Sequence, residues 1–415
     1  MTNSDNITGN STGTLHYLDL SHPTSEPVVT LGVENLLDGE FDLIRGRRVG
    51  LITNPTGVDS RLKPTIVRLH ECSGCELKAL FSPEHGLWGR LAAGVHIKTS
   101  IDPVTHLPVY SLYGDTRKPR REWLADLDAL VFDIQDIGNR SYTFLYTMAM
   151  AMEASRDAGI PFILCDRPNP LGGVLLDGNV LDPQRTRTYV GMYPIPYIYG
   201  MTIGELGRLI NAEFGIGADL RVVQMSGWKR DMMWWNTGLR WIPTSPNVPR
   251  PETTFHVAMT GFLGEMQTVC EGVGTTLPFE ILGAPWMDAF DLAEALNDLD
   301  LPGLMFRPLY FKPRFGTFMN QDCAGVQIHI IDYRRVKPLS AGLHLVATVM
   351  TLWPERHILG QTGNTVRIKM FNAVMGTDAI RQDLLAGRPA EEIIAGWRAP
   401  LDDFRRLRER YLLYP

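Results

Sequence analysis

Five cysteines among 415 residues, an odd and sparse count, cannot build a disulfide framework and fit a reducing compartment. No apolar run approaches the roughly 20 residues that span a bilayer, which excludes a membrane-spanning helix. No basic run is present that would track a phosphate backbone, and 40 Lys plus Arg against 46 Asp plus Glu leave a net charge of -6, so nucleic acid is not an expected partner and a membrane surface is not either. No Gly-x-Gly-x-x-Gly follows the first strand pattern, so a dinucleotide would lack its close backbone approach. Neither H-x-x-x-H nor H-E-x-x-H occurs, so no metal and no cofactor is expected. Cys72-Ser73-Gly74-Cys75 has metal or redox spacing without a second ligand pair and reads as a turn before the strand at Leu77. Met1 to Thr14 is polar and lacks the regions of a secretory leader; as written the chain reads as cytoplasmic, with export of a natural precursor left open.

What is present is length and alternation. A chain of 415 residues exceeds the roughly 250–300 at which single cores stop growing, so two domains are expected. Residues 1–27 read as a polar tail, 28–227 as an α/β domain and 228–415 as an α+β domain. In the first domain, strand patterns over 48–53, 77–81, 129–132, 162–165 and 220–224 alternate with helical ones over 62–71 and 143–157. Thr202-Ile203-Gly204-Glu205 is a capping box that opens a helix through Glu213. Residues 87–120 form an excursion of the kind that covers a site. Past Gly227 the texture changes: four tryptophans (228, 234, 235 and 241) precede Pro243, Pro246, Pro249 and Pro251, which impose an extended path. A half-buried strand is expected over 325–332 and helices over 339–352, 378–385, 390–397 and 401–412.

The strongest functional signal is positional. Four polar clusters each follow a buried-strand pattern: Asn54-Pro55-Thr56-Gly57, Ser82-Pro83-Glu84-His85-Gly86, Asp133-Ile134-Gln135-Asp136 and Asp166-Arg167-Pro168-Asn169-Pro170. In an open parallel α/β sheet ligands bind beyond the carboxyl ends of the strands, so the clusters should meet in one carboxylate-rich site. Glu84, on a tight turn, is a candidate general acid, the alternatives being a helix N-cap or a solvated turn carboxylate. His85 is either a metal ligand or a base, the alternative being a turn histidine bonded to backbone. Asp133 and Asp136 are close enough to raise one pKa unless Arg140 neutralises them. Asp166 and Arg167 read as an ion pair that leaves Asn169 to reach ligand. Glu271-Gly272-Val273-Gly274-Thr275 has no lysine after it and is a weak phosphate signal, but it can turn Glu271 toward the crevice.

Taken in order, Ser82 to Gly86, Phe132 to Gly138, Asp166 to Pro170, Gly200 to Glu205, Ser245-Pro246-Asn247-Val248-Pro249, Gly283 to Trp286 and Tyr411 to Tyr414 resemble the DUF1343 family, whose characterised members are exo-β-N-acetylmuramidases called NamZ. The resemblance runs from about Gly32 to Tyr414. It implies a Rossmann-like catalytic domain, a smaller C-terminal accessory domain and a cleft between them. It also implies release of N-acetylmuramic acid from the non-reducing end of peptidoglycan fragments, with Glu84 as the catalytic glutamate. Asp133 or Asp136 would then orient the substrate's own acetamido group, with His85 beside the acid. Asn54, Gln135, Arg140, Tyr142, Asn169, Tyr199, Asn247 and Glu271 are the expected substrate contacts. The sequence departs from the family where arginine, or arginine then histidine, is expected: Trp88, Ile198-Tyr199, Val273 and Leu277 stand there. Since a guanidinium suits a lactyl carboxylate, these departures suggest a neutral hexosaminide, another glycoside or a weakened carbohydrate-binding relative, with Trp88, Tyr199 and the tryptophan cluster as sugar platforms.

Overall fold

The computed structural model describes residues 28–92, 94–184, 187–360 and 364–415; the expected tail, 1–27, lies outside the described residues. The described residues form twelve strands: β1 Arg48–Thr53, β2 Glu76–Ser82, β3 Ser100–Ile101, β4 Pro108–Ser111, β5 Ala129–Asp133, β6 Phe162–Cys165, β7 Asp177–Val180, β8 Pro196–Ile198, β9 Leu220–Val223, β10 Ile281–Ala284, β11 Leu304–Phe311 and β12 Cys323–Ile330. Seven of them make one sheet in the order β3-β4-β2-β1-β5-β6-β9, with every neighbouring pair parallel except the edge pair β3 and β4. β5 and β6 are buried at every position, which explains why they read as unbroken apolar runs rather than as alternation.

The chain winds outward from β1 through β2 to β4, then returns to the other side of β1 as β5 and winds outward again to β9. The strand order therefore reverses between β1 and β5, where Thr53 lies beside Asp133 in register. That reversal opens a crevice at the carboxyl ends, and the four polar clusters follow β1, β2, β5 and β6 there.

The second, smaller domain holds an antiparallel sheet, β10-β12-β11, packed against helices Thr253–Gly264, Ala289–Asn297 and Pro338–Leu352. Its core includes Phe255, Phe262, Leu282, Val326, Leu343 and Val346. The chain end returns to the first sheet: Phe404 joins that core, Leu413 N–H donates to Glu205 at 2.8 Å and Tyr414 hydroxyl to Asp166 at 2.6 Å. Trp228 also stays with the first sheet, packing edge-on against Tyr414.

Several elements fall where the sequence places them, including β1, β6 and helix Ile203–Glu213, whose Thr202 accepts from Glu205 N–H as the capping box requires. The helix expected over 62–71 is shorter, Thr65–His70, because Leu62 adopts φ +67° and Pro64 supplies the N-cap. The excursion 87–120 is not wholly irregular: β4 adds a parallel strand to the sheet and β3 covers its edge.

Candidate active site

Beyond β2, Pro83 leads into a turn in which His85 takes φ +70°. This left-handed backbone at a side-chain-bearing residue is held by His85 Nδ1, 2.9 Å from Leu91 O, and by Leu91 N–H donating to His85 O at 3.3 Å. The turn presents Glu84, which is only 8% exposed. Its Oε1 accepts from Gly94 N–H at 2.9 Å and its Oε2 from the Thr143 hydroxyl at 2.8 Å. Thr143 stands at the start of helix Phe144–Ala158.

Asp136 lies three residues beyond the end of β5 and is 6% exposed. Oδ2 accepts from Gly138 N–H at 2.9 Å and from the Tyr199 hydroxyl, whereas Oδ1 has no partner. Burial pushes this carboxyl up to about 6, against the opposing effect of the Tyr199 and Gly138 bonds. Tyr142 lies within reach of the charges of both acids. Its phenol is raised by burial and further by the charges of Asp136 and Glu84, and its hydroxyl donates to Thr244 at 2.9 Å.

Two glutamates come from the second domain. Glu265 ends helix Thr253–Gly264; burial raises its carboxyl, Arg367 opposes this and the charge of Glu84 adds to it. Glu271 is buried with Oε2 unpartnered, and burial pushes it up to about 7. Its carboxyl packs so tightly on Gly264 that a Cβ there would lie 2.7 Å from Glu271 Cδ. On the other flank, Tyr113 is raised by burial and by Glu84, and its ring is stacked by Arg117. The result is a proton donor or acceptor in a fixed frame, a second carboxylate with one oxygen free, and further acids facing it from the other domain. Among the described residues no group of three or more His, Cys, Asp or Glu can hold a metal ion.

Two family models cover nearly all of this chain: "Exo-beta-N-acetylmuramidase NamZ, N-terminal" matches residues 49–252 and its C-terminal counterpart matches 257–414. The chain belongs to the NamZ family. It is thereby placed among the glycosidases. The peptidoglycan β-N-acetylmuramidase NamZ of Bacillus subtilis (strain 168) is 43% identical over 389 residues, 94% of this chain and 92% of that protein. A crystal structure of a DUF1343 family protein from Bacteroides fragilis NCTC 9343 superposes with a TM-score of 0.89 at 42% identity, covering 94% of this chain and 100% of the other. A second from the same organism gives 0.72 at 27%, covering 93% and 99%.

Within this NamZ-family site several expectations need correction. Asp133 is fully buried and both its oxygens are committed: Arg167 Nε and Nη2 donate at 2.6 and 2.8 Å, and Thr65 hydroxyl at 2.5 Å. It buttresses the crevice floor. The Arg167 guanidinium thus pairs with Asp133 and not with Asp166, which accepts from the Arg167 backbone N–H and from Thr202, Gly204 and Tyr414. Arg140 neutralises neither acid; fully buried, it donates to the carbonyls of Asn179, Ile195, Val374 and Met375 and ties the two domains together. Asn169 uses both ends of its amide on Met201 O and Leu171 N–H, so it shapes the turn rather than reaching out. Tyr199 is fully buried and acts through its bond to Asp136, with no ring face left for a sugar.

Of the tryptophan cluster, Trp228 and Trp234 are buried and Trp234 lies edge-on to Trp241, whereas Trp235, edge-on to Tyr333, stays 45% exposed. Trp88 is 42% exposed, its indole N–H donating to Asp102 at 3.0 Å. Ile198 lies in the core. Val273 and Leu277 are half-buried, and the glycines around Val273 serve chain packing, since Gly274 (φ +95°) has the Phe315 backbone against its Cα.

Asn54, Gln135 and Asn247 remain near the crevice. Asn54 Oδ1 accepts from Thr56 N–H at 2.9 Å while Nδ2 is unpartnered; Gln135 Nε2 donates to Asp136 O at 2.7 Å while Oε1 is unpartnered. Asn247 is half-buried in a turn closed by Val248 N–H to Ser245 O at 3.0 Å, next to the Thr244 that holds Tyr142. Thr143, Tyr113, Arg117 and Glu265 escaped the sequence reading. Thr143 was visible only as a helix start, and nothing local marks the other three, which reach the site through tertiary packing.

Proposed function

We propose that this protein releases terminal N-acetylmuramic acid from the non-reducing end of peptidoglycan fragments, with Glu84 as general acid. The observation that carries the reading is the buried Glu84 carboxyl, fixed by Gly94 and Thr143 at the carboxyl ends of the parallel strands. A relative named as a peptidoglycan β-N-acetylmuramidase at 43% identity supports the substrate class.

In this mechanism Glu84 gives its proton to the glycosidic oxygen as the bond to C1 breaks. The substrate's acetamido carbonyl oxygen attacks C1 from the opposite face and closes a cyclic oxazolinium. Asp136 accepts the acetamido N–H through its free Oδ1 and stabilises the positive charge of that ring. Glu84, now a carboxylate, takes a proton from water; the hydroxide equivalent opens the ring at C1 and regenerates both sugar and acid. The overall two-domain division at residue 227 is part of this reading, with the second domain contributing Glu265 and Glu271 across the crevice.

The test is hydrolysis of chromogenic β-N-acetylmuraminide and β-N-acetylglucosaminide by wild type and Glu84→Gln. Release from the muraminide that disappears in Glu84→Gln is the expected result; a covalent glycosyl-enzyme trapped on a carboxylate would sink the substrate-assisted route. A neutral 2-acetamido sugar is the second reading, favoured by the exposed Trp88 ring, and release from the glucosaminide alone would select it.

A further inference from the structure

The crevice is acidic. Glu84 and Asp136 approach it from the first domain, Glu265 and Glu271 from the second, and an anionic sugar entering such a site is repelled unless a cation meets it. Arg367 is already engaged electrostatically with Glu265.

Arg117 is different. Its guanidinium carbon lies 3.7 Å from the ring centroid of Tyr113 and 4.1 Å from that of Tyr189, so aromatic rings hold the planar group. Tyr113 in turn stands beside Glu84, whose charge helps raise its phenol, and Tyr189 is fixed by Thr147 at 2.6 Å. Its neighbours are spoken for: Lys118 pairs with Asp157 at 2.8 Å and Arg120 with Glu122 at 3.9 Å. Among the described residues Arg117 has no acidic partner within ion-pair distance; it acts on the Tyr113 and Tyr189 phenols by hydrogen bonding and charge, while its Nη1 is buried without a hydrogen-bond acceptor. A buried guanidinium N–H left without an acceptor is costly, and a planar fork held by stacking is preorganised for a carboxylate.

We infer that Arg117 is the specificity residue that reads the lactyl carboxylate of the terminal sugar. This rests on the muraminidase reading above. It gives the Tyr113–Arg117–Tyr189 stack a function, the discrimination of an acidic from a neutral 2-acetamido sugar one residue away from the catalytic acid.

The experiment compares the chromogenic muraminide carrying a free lactyl carboxylate with the same compound as its lactyl amide. Arg117→Met should reduce the wild-type preference for the acid in kcat/KM by about 30-fold, chiefly through KM, the size expected for one charge-assisted contact. Arg117→Lys should restore part of it. An equal fall on both compounds, or an unchanged preference, overturns the inference and leaves Arg117 a packing residue.

Binding keeps this separate from turnover. On Glu84→Gln protein, calorimetry measures N-acetylmuramic acid against its lactyl amide with Arg117 present and with Arg117→Met. Loss of the acid preference on Arg117→Met supports the inference even where wild type hydrolyses nothing, an outcome that would fail the proposed reaction alone. No acid preference with Arg117 in place overturns it.

Discussion

Thr143 gives its hydroxyl to Glu84 Oε2 at 2.8 Å instead of capping the helix it starts, Phe144–Ala158, which has no side-chain cap bond. A Ser or Thr at this position ordinarily accepts from the first turn of its own helix. Here the donor is spent on a carboxylate, so its contribution belongs to the site and not to the helix. Thr143→Val keeps the β-branched shape and removes only the donor. The expected outcome is a fall in kcat of about tenfold, the worth of one hydrogen bond to a charged group, with a melting temperature close to wild type. Steady-state kinetics beside a thermal melt decide it; a large drop in melting temperature would return Thr143 to a structural role.

The bidentate pair between Asp133 and Arg167 makes the opposite forecast. Arg167→Met would leave Asp133, 0% exposed, as an uncompensated buried charge at the centre of the sheet. Breaking such a pair from one side costs about 3–5 kcal/mol. Urea unfolding should show that loss, with activity following the folded fraction. Wild-type stability combined with abolished turnover would instead restore Asp133 as a participant in chemistry.

The sequence was most readable where one local signal sufficed. Buried parallel strands announce themselves as apolar runs, and Thr202 with Glu205 spells out a helix start. Because a doubly wound sheet converts strand ends into a common crevice, the sequence alone assigns Glu84 and Asp136 to one site. Roles that depend on which partner a side chain meets were not readable. Arg167 sits next to Asp166 in the chain yet turns its guanidinium to Asp133, and Arg140 finds two of its four acceptors 234 and 235 residues away at Val374 and Met375. β4, one strand in from the edge, hid because it is four residues long and starts with a proline.

Three buried carboxyls give the protein opposed pH responses. Burial raises Asp136 and Asp166 to about 6 and Glu271 to about 7. Folded protein therefore holds protons on them that the unfolded chain, with ordinary carboxylate values, releases. Their contribution to stability grows as pH falls through about 7 to 6, is complete below about 4 and is lost again as pH rises through the same range. Activity should run the other way, because Asp136 must be ionised to accept the acetamido N–H: kcat/KM is expected to decline below about pH 6. Melting curves of wild type and Asp136→Asn from pH 4.5 to 8, with a kcat/KM profile over the same range, test both slopes. A variant whose stability has the same pH dependence as wild type would show that Asp136 titrates near its ordinary value.

Tyr414, next to the last residue of the chain, closes the back of the same sheet. Its hydroxyl donates to Asp166 Oδ2 at 2.6 Å and accepts from Met225 N–H at 3.0 Å, so Tyr414→Phe removes a donor from a buried acid and an acceptor from a buried amide. A stability loss of about 1–3 kcal/mol is expected from the unsatisfied groups. Its pH dependence separates the two. The tyrosine donor favours ionised Asp166, and without it the carboxyl titrates above its value of about 6. The loss should then be larger at pH 8, where wild-type Asp166 is charged, than at pH 5, where it is protonated with or without the tyrosine hydroxyl. Chemical denaturation at those two values measures the difference. A loss that is the same at both would assign the effect to the Met225 amide alone and leave Asp166 indifferent to the chain end.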